Sequence, residues 1–144
     1  MVEVLIAGVL LASALTAVSR LSIAALSSSA RLSDRARIEA AIYENIQTMQ
    51  KEDSYYTEAW ITDNQGEEGL RNACKNPVEA LSKHLRDIAP GPRETTINRA
   101  FDINSIPGIL RIVYSFEAPE QQIQKELRVI EMSPNFASNC YNTL

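Results

Sequence analysis

Residues 2–18 read VEVLIAGVLLASALTAV, a single carboxylate at Glu3 followed by fifteen uncharged residues from Val4 to Val18. Arg20 interrupts, and LSIAALSSSA continues without charge to Ala30. At ~1.5 Å per residue the first run covers about 22 Å, short of a bilayer core. Counted to Leu26, with the Arg20 head snorkelling, the segment is long enough to span. No Pro occurs before Pro77, so nothing in the sequence breaks a helix that starts at the first residues. Three readings compete for this segment. A buried core helix is expected to be shorter and to alternate with polar faces. A cleaved secretory signal offers Ala12-Ser13-Ala14 as a small-x-small site, but calls for a basic start where this chain opens Met-Val-Glu. The third reading is an anchor that stays in the mature protein. Arg20, Arg31, Arg35 and Arg37 all follow the span, so the positive-inside rule places the N-terminus outside. Either that topology is inverted, or a basic leader precedes the segment.

The rest of the composition narrows the function. The 144 residues are 45% hydrophobic and 22% charged with a net charge of −4, which fits one ordinary domain and no second large one. An acidic chain is a poor default binder of nucleic acid. Residues 54–144 carry 9 basic and 12 acidic side chains, a net of −3, so the head gives no support to such a partner. One His and two Cys allow no CxxC, HExxH or Cys/His cluster, and no metal or cofactor is expected. No nucleophile elbow or glycine-rich phosphate loop is present, and no catalytic residue is expected.

Helix signals continue past Ser29. Ile38, Ile42, Ile46 and Met49 recur at helical spacing, with Leu32 before them, while Asp34, Arg35, Arg37, Glu39 and Glu44 decorate the other sides. The stripe predicts an amphipathic helix packed on a domain; continued to about Asp53, the whole helix would be ~80 Å long. Residues 54–76 read as irregular and polar, with Tyr55, Tyr56 and Trp60 covering the junction of helix and head. Asp63, Glu67 and Glu68 around Gly66 miss the spacing of a calcium loop. Asn76-Pro77 reads as an N-cap and first helical residue, followed by Val78, Leu81, Leu85 and Ile88 and ended by Pro90-Gly91-Pro92. His84, between Lys83 and Leu85, reads as helix surface.

The last third changes period. Thr95–Ile103, Ile109–Ala118 and Lys125–Met132 are rich in β-branched and aromatic residues, with turns at 104–108 and 119–122. An antiparallel meander of three to four strands is predicted. Arg99, Arg111 and Arg128 fall on successive strands and are expected on one solvent face, ion-paired across strands with Glu94, Glu117, Glu126 and Glu131. The fold class is therefore α+β: a long N-terminal helix packed on a small antiparallel sheet. Its divisions are a hydrophobic helix over 1–29, an amphipathic continuation over 30–53 and a head over 54–144. Within the head, 54–92 holds loop and short helix, and 93–144 holds strands and tail.

The first thirty residues resemble the N-terminal segment of type IV pilins and pseudopilins. That family has a basic leader ending in Gly, then Phe-Thr-Leu, an apolar residue, a Glu and an apolar run. Val2 and Glu3 with VLIAGVLLA match the end of that pattern, and Met1 stands where the family has Leu. A TTG codon, Leu internally but Met as an initiator, would produce that exchange. The place of the family's kinking Pro falls at or near Arg20. The resemblance implies a pilin-like fold and a structural role in a type IV pilus or type II secretion filament, most simply as a minor pilin. Its partners would be other pilin or pseudopilin subunits, packed head-to-tail, with the inner membrane holding the helix beforehand. Prepilin peptidase would act if an upstream leader exists. The head would lie outside the cytoplasm, and the filament would be extracellular or periplasmic.

By this resemblance Glu3 pairs with the N-terminal amine of a neighbouring subunit and sets the axial register; the plain alternative is an exposed surface carboxylate. Gly8 with Ala12, and Ser13 with Ala17, are small-xxx-small pairs suited to close helix packing. An extracytoplasmic head would put Cys74 and Cys140 where an even count suggests a bridge, as in pilins whose C-terminal loop is tied by a disulfide; reduced cytosolic thiols are the alternative. The competing functional reading is a membrane-anchored extracytoplasmic binding module or enzyme. Reading the genomic DNA directly upstream of Met1 should reveal, in frame, a basic leader followed by Gly-Phe-Thr. A stop codon directly before Met1 would sink the displaced-start reading.

Overall fold

Helix α1 takes up Val2–Tyr55, as the unbroken apolar and amphipathic patterns require. The computed structural model describes residues 2–120 and 124–142. Two compact units divide the chain, Met1–Arg37 and Ile38–Leu144, and α1 contributes to both. In the first unit the helix surface is exposed nearly all round. In the second, Ile38, Ile42 and Met49 are buried, at the spacing expected of a single face. Leu32, read as part of that stripe, is exposed.

Residues 54–76 are helical, contrary to their reading as irregular. Thr57 caps helix α2, Glu58–Lys75, its Oγ1 accepting the Trp60 N–H at 3.2 Å. The helix bends at Gly66, whose φ of 76° and ψ of 178° lie where a side chain would be strained. That break, with Gly69 one turn on, masks the periodicity of Ile61, Leu70, Ala73 and Cys74, all buried. Helix α3 follows over Pro77–Ile88 with Pro at its start, and Val78, Leu81 and Leu85 are buried as expected. Ile88 is not: at the last turn it stays 45% exposed.

Three strands form the sheet, β1 Asn98–Asp102, β2 Leu110–Phe116 and β3 Glu126–Met132, antiparallel in the order β1-β2-β3. Gly108, at φ 77°, turns the chain into β2. The turn expected at 119–122 lies partly outside the described residues. Alternation sends Leu110, Ile112, Tyr114 and Phe116 of β2 inward, where they are buried with the stripe of α1. Fully burying one such side chain contributes roughly 1.5–3 kcal/mol. The chain is thus α+β, a long helix packed on a small three-stranded antiparallel sheet.

The register overturns the expected arginine face. Arg99, Tyr114 and Arg128 stand in one cross-strand row, so Arg99 and Arg128 share the inner side with Tyr114. Arg111 pairs with Asp102 and Glu131 on the opposite side. The only ion pair here that bridges strands is Arg111–Glu131 at 3.8 Å, among the described residues. Arg128 instead reaches Glu39 of α1 at 2.6 Å and Glu126 of its own strand at 3.2 Å.

Arg99 enters the interior by capping a helix. Its Nη2 donates to the Ala89 carbonyl and its Nη1 to the Pro90 carbonyl, both at 2.9 Å, placing a cation at the C-terminal end of α3. Nη1 also donates to Asn45 Oδ1 at 3.0 Å, which accepts the Tyr114 hydroxyl at the same distance. Asn45 Nδ2 donates to the Pro90 carbonyl at 2.8 Å. One buried amide therefore joins α1, the end of α3, β1 and β2. Asn45→Ala strands a buried hydroxyl and part of a guanidinium and should cost about 3 kcal/mol, whereas Tyr114→Phe should cost about 1 kcal/mol. Denaturant titration of the two variants checks the order, and equal losses would refute the central role of the amide.

Candidate functional site

In the first unit every predicted site residue is exposed. Glu3 lies in the first turn of α1, and Val2, Ile6, Val9, Leu10, Leu11 and Leu15 surround it or follow it on all sides. The helix is long and apolar enough to cross a membrane, and its most apolar window has none of its surface buried. Hydroxyls do not spoil that surface. Ser13, Thr16, Ser19 and Ser22 each donate to a backbone carbonyl three or four residues back, at 2.8–2.9 Å. A polar group satisfied in this way enters hydrocarbon at far lower cost.

The helix brings Gly8 beside Ala12 and Ser13 beside Ala17, but not the two pairs together. At 3.6 residues per turn, the Gly8 and Ser13 directions differ by about 140°. They form two shallow strips and not one seam. Open space surrounds Gly8, so its missing side chain leaves backbone accessible to a neighbouring helix. Arg20, where the family's Pro would kink the chain, lies within continuous helix.

In the second unit Cys74 of α2 and Cys140 are bonded, with Cα atoms 5.5 Å apart. Cys140 belongs to a 3-10 helix, Asn135–Asn142, formed by the tail after the strands. Closing 66 residues restricts the unfolded chain by about 4 kcal/mol in the entropy account. Asp53 accepts the Asn135 N–H at 3.3 Å, and burial raises its carboxyl above the ordinary range. Burial also pushes the Tyr114 hydroxyl up to about 12, against the opposing pull of the Arg99 charge.

The site that sequence reasoning missed lies beside α2 and α3. His84 is buried, not on the surface, and only 7% exposed. It stacks on Tyr56 at 4.0 Å between ring centroids and meets Trp60 edge-on at 4.9 Å. Phe136 of the 3-10 helix closes the other side of Tyr56 at 5.2 Å. The signal was present: Leu81, His84, Leu85 and Ile88 follow the i, i+3, i+4, i+7 pattern of an inner face. Tyr56, Trp60 and His84 line an open groove of about 460 Å³, with Gln65, Asn72 and Asn76 along it. Asp63, Glu67 and Glu68 are exposed around the bend of α2, and no three His, Cys, Asp or Glu side chains converge among the described residues.

Comparison with protein-family models, curated proteins and solved structures found no match. The site must be read from its own chemistry. Burial lowers the pKa of His84, opposed by the nearby charges of Glu52 and Asp87. The folded chain therefore resists a proton that the unfolded chain accepts near pH 6.5. The contribution of neutral His84 to stability is complete above about pH 6.5 and is lost as the pH falls below it. Because His84 is the only histidine, its ring protons can be followed directly by NMR. Their titration midpoint should fall below ~6.5; a midpoint at or above that value would contradict the buried, uncharged ring.

Proposed function

We propose that this chain is a structural subunit of a type IV pilus or type II secretion filament, a minor pilin that assembles through the first unit of α1. One observation carries the reading: an apolar helix, exposed all round, bears a single carboxylate at its mouth. Such a surface is stable only in lipid or against other apolar helices. A carboxylate there is tolerated only with a partner, because an unpaired charge in hydrocarbon costs several kcal/mol. The amine of a neighbouring subunit supplies that partner and fixes the stagger between helices. The strips at Gly8–Ala12 and Ser13–Ala17 face different directions, as contacts to more than one neighbour in an open helical array require.

On this reading the helix is held in the inner membrane with the head outside the cytoplasm, then withdrawn into the filament core. The action is mechanical, and the chain performs no catalysis. A plain membrane anchor differs in one respect: it has no use for Glu3. The Glu3→Ala protein should remain in the membrane with its disulfide formed, yet be absent from sheared filaments, while Glu3→Asp should retain partial incorporation. Normal incorporation of Glu3→Ala would refute the register role.

A further inference from the structure

The groove beside α2 and α3 has no part in helix packing, and nothing in the filament reading accounts for its chemistry. Its volume of about 460 Å³ falls within the ~300–1,000 Å³ common for ligand sites. The floor is aromatic, built from Trp60 and from His84 stacked on Tyr56. His84 lines the groove, and its Nε2 is buried without a hydrogen-bond partner among the described residues. Along the rim stand three carboxamides. Gln65 hydrogen-bonds to Tyr56, Asn72 is exposed, and the Asn76 side chain makes no capping bond to α3.

We propose that this groove binds a neutral saccharide. A carboxamide both donates and accepts, as a hydroxyl does, so a row of amides matches a row of sugar hydroxyls. Trp60, the one partly exposed ring of the three, offers an apolar surface for the C–H side of a pyranose, backed by the buried Tyr56 and His84. The charges argue against the alternatives. Glu79, Lys83 and Asp87 border the groove at four-residue spacing on α3, setting the one lysine between two carboxylates. An anion meets more negative than positive charge there, and a cation finds a net of one negative charge with Lys83 standing between the two carboxylates. A wholly apolar ligand would strip water from amides and carboxylates without replacing their hydrogen bonds. The site lies wholly within the second unit, so it stands whether or not the helix enters a filament.

Two reporters sit in the groove by themselves, the only tryptophan and the only histidine of the chain. The full-length protein is held in amine-oxide detergent, whose headgroup carries no sugar. It is titrated with cellotriose, maltotriose and N-acetylated chitotriose, and in parallel with trilysine and inorganic phosphate. At least one trisaccharide should change Trp60 fluorescence saturably and shift the His84 ring protons with the same midpoint. Asn72→Ala combined with Gln65→Ala should weaken that binding by about tenfold or more. Both positions are exposed, and unchanged circular dichroism verifies the fold. No saturable response to any of the three sugars overturns the proposal. So does an equal midpoint in the double variant, or tighter binding of trilysine or phosphate.

Discussion

The second unit depends on a single buried amide. Asn45 sits on the apolar stripe of α1, where an aliphatic side chain would pack more simply. It holds Tyr114 of β2, Arg99 of β1 and the Pro90 carbonyl at once. Helix, sheet and the end of α3 meet there, and each polar group has a partner only because the others are in place. A satisfied network of this kind specifies one arrangement in which an all-apolar seam would allow several. Arg99 illustrates the interdependence. Burial lowers its pKa from the usual guanidinium range, yet two carbonyls and an amide oxygen receive its N–H groups. The cation enters the interior because α3 ends there with free carbonyls to offer.

Much of this architecture was legible in the residues. Periodicity gave α1 and α3, and the β-branched runs gave three strands with boundaries a few residues too wide. What escaped had physical causes. Helix α2 was hidden because Gly66 breaks the 3.6-residue repeat between Ile61 and Leu70, so neither half shows a stripe by itself. Asn45 occupies the third position of the series 38, 42, 45, 49, but a polar residue on an apolar face reads as an interruption unless its partners are known. Those partners lie 54 and 69 residues away along the chain. Arg99 and Arg128 were placed outward because arginines usually are, whereas strand parity puts them with Tyr114. The sequence left the disulfide open between a bridge and two thiols, and the tertiary fold brings Cys74 and Cys140 together.

The two units turn opposite chemistry outward. In the first, side-chain hydroxyls are turned back onto the helix backbone and apolar groups face outward. In the second, apolar groups are gathered inward and the outward surface is charged. Both use the same helix, and the change falls within a few residues, near Ile38. The candidate sites divide likewise: Glu3 and the small-residue strips were legible because a charge or a glycine stands out in an apolar run. The aromatic groove was not, since Tyr56 and Trp60 lie well apart in sequence from His84, and the histidine falls inside a helix stripe.

The bridge between Cys74 and Cys140 also imposes an order of events. It cannot close until the chain has been made through Cys140, 66 residues beyond Cys74. In reducing surroundings the two thiols stay apart, and the 3-10 helix has no covalent tie to α2. Phe136 then covers Tyr56 by packing alone. Oxidation therefore ties the 3-10 helix over the aromatic cluster only after Cys140 has been brought to Cys74 by the fold.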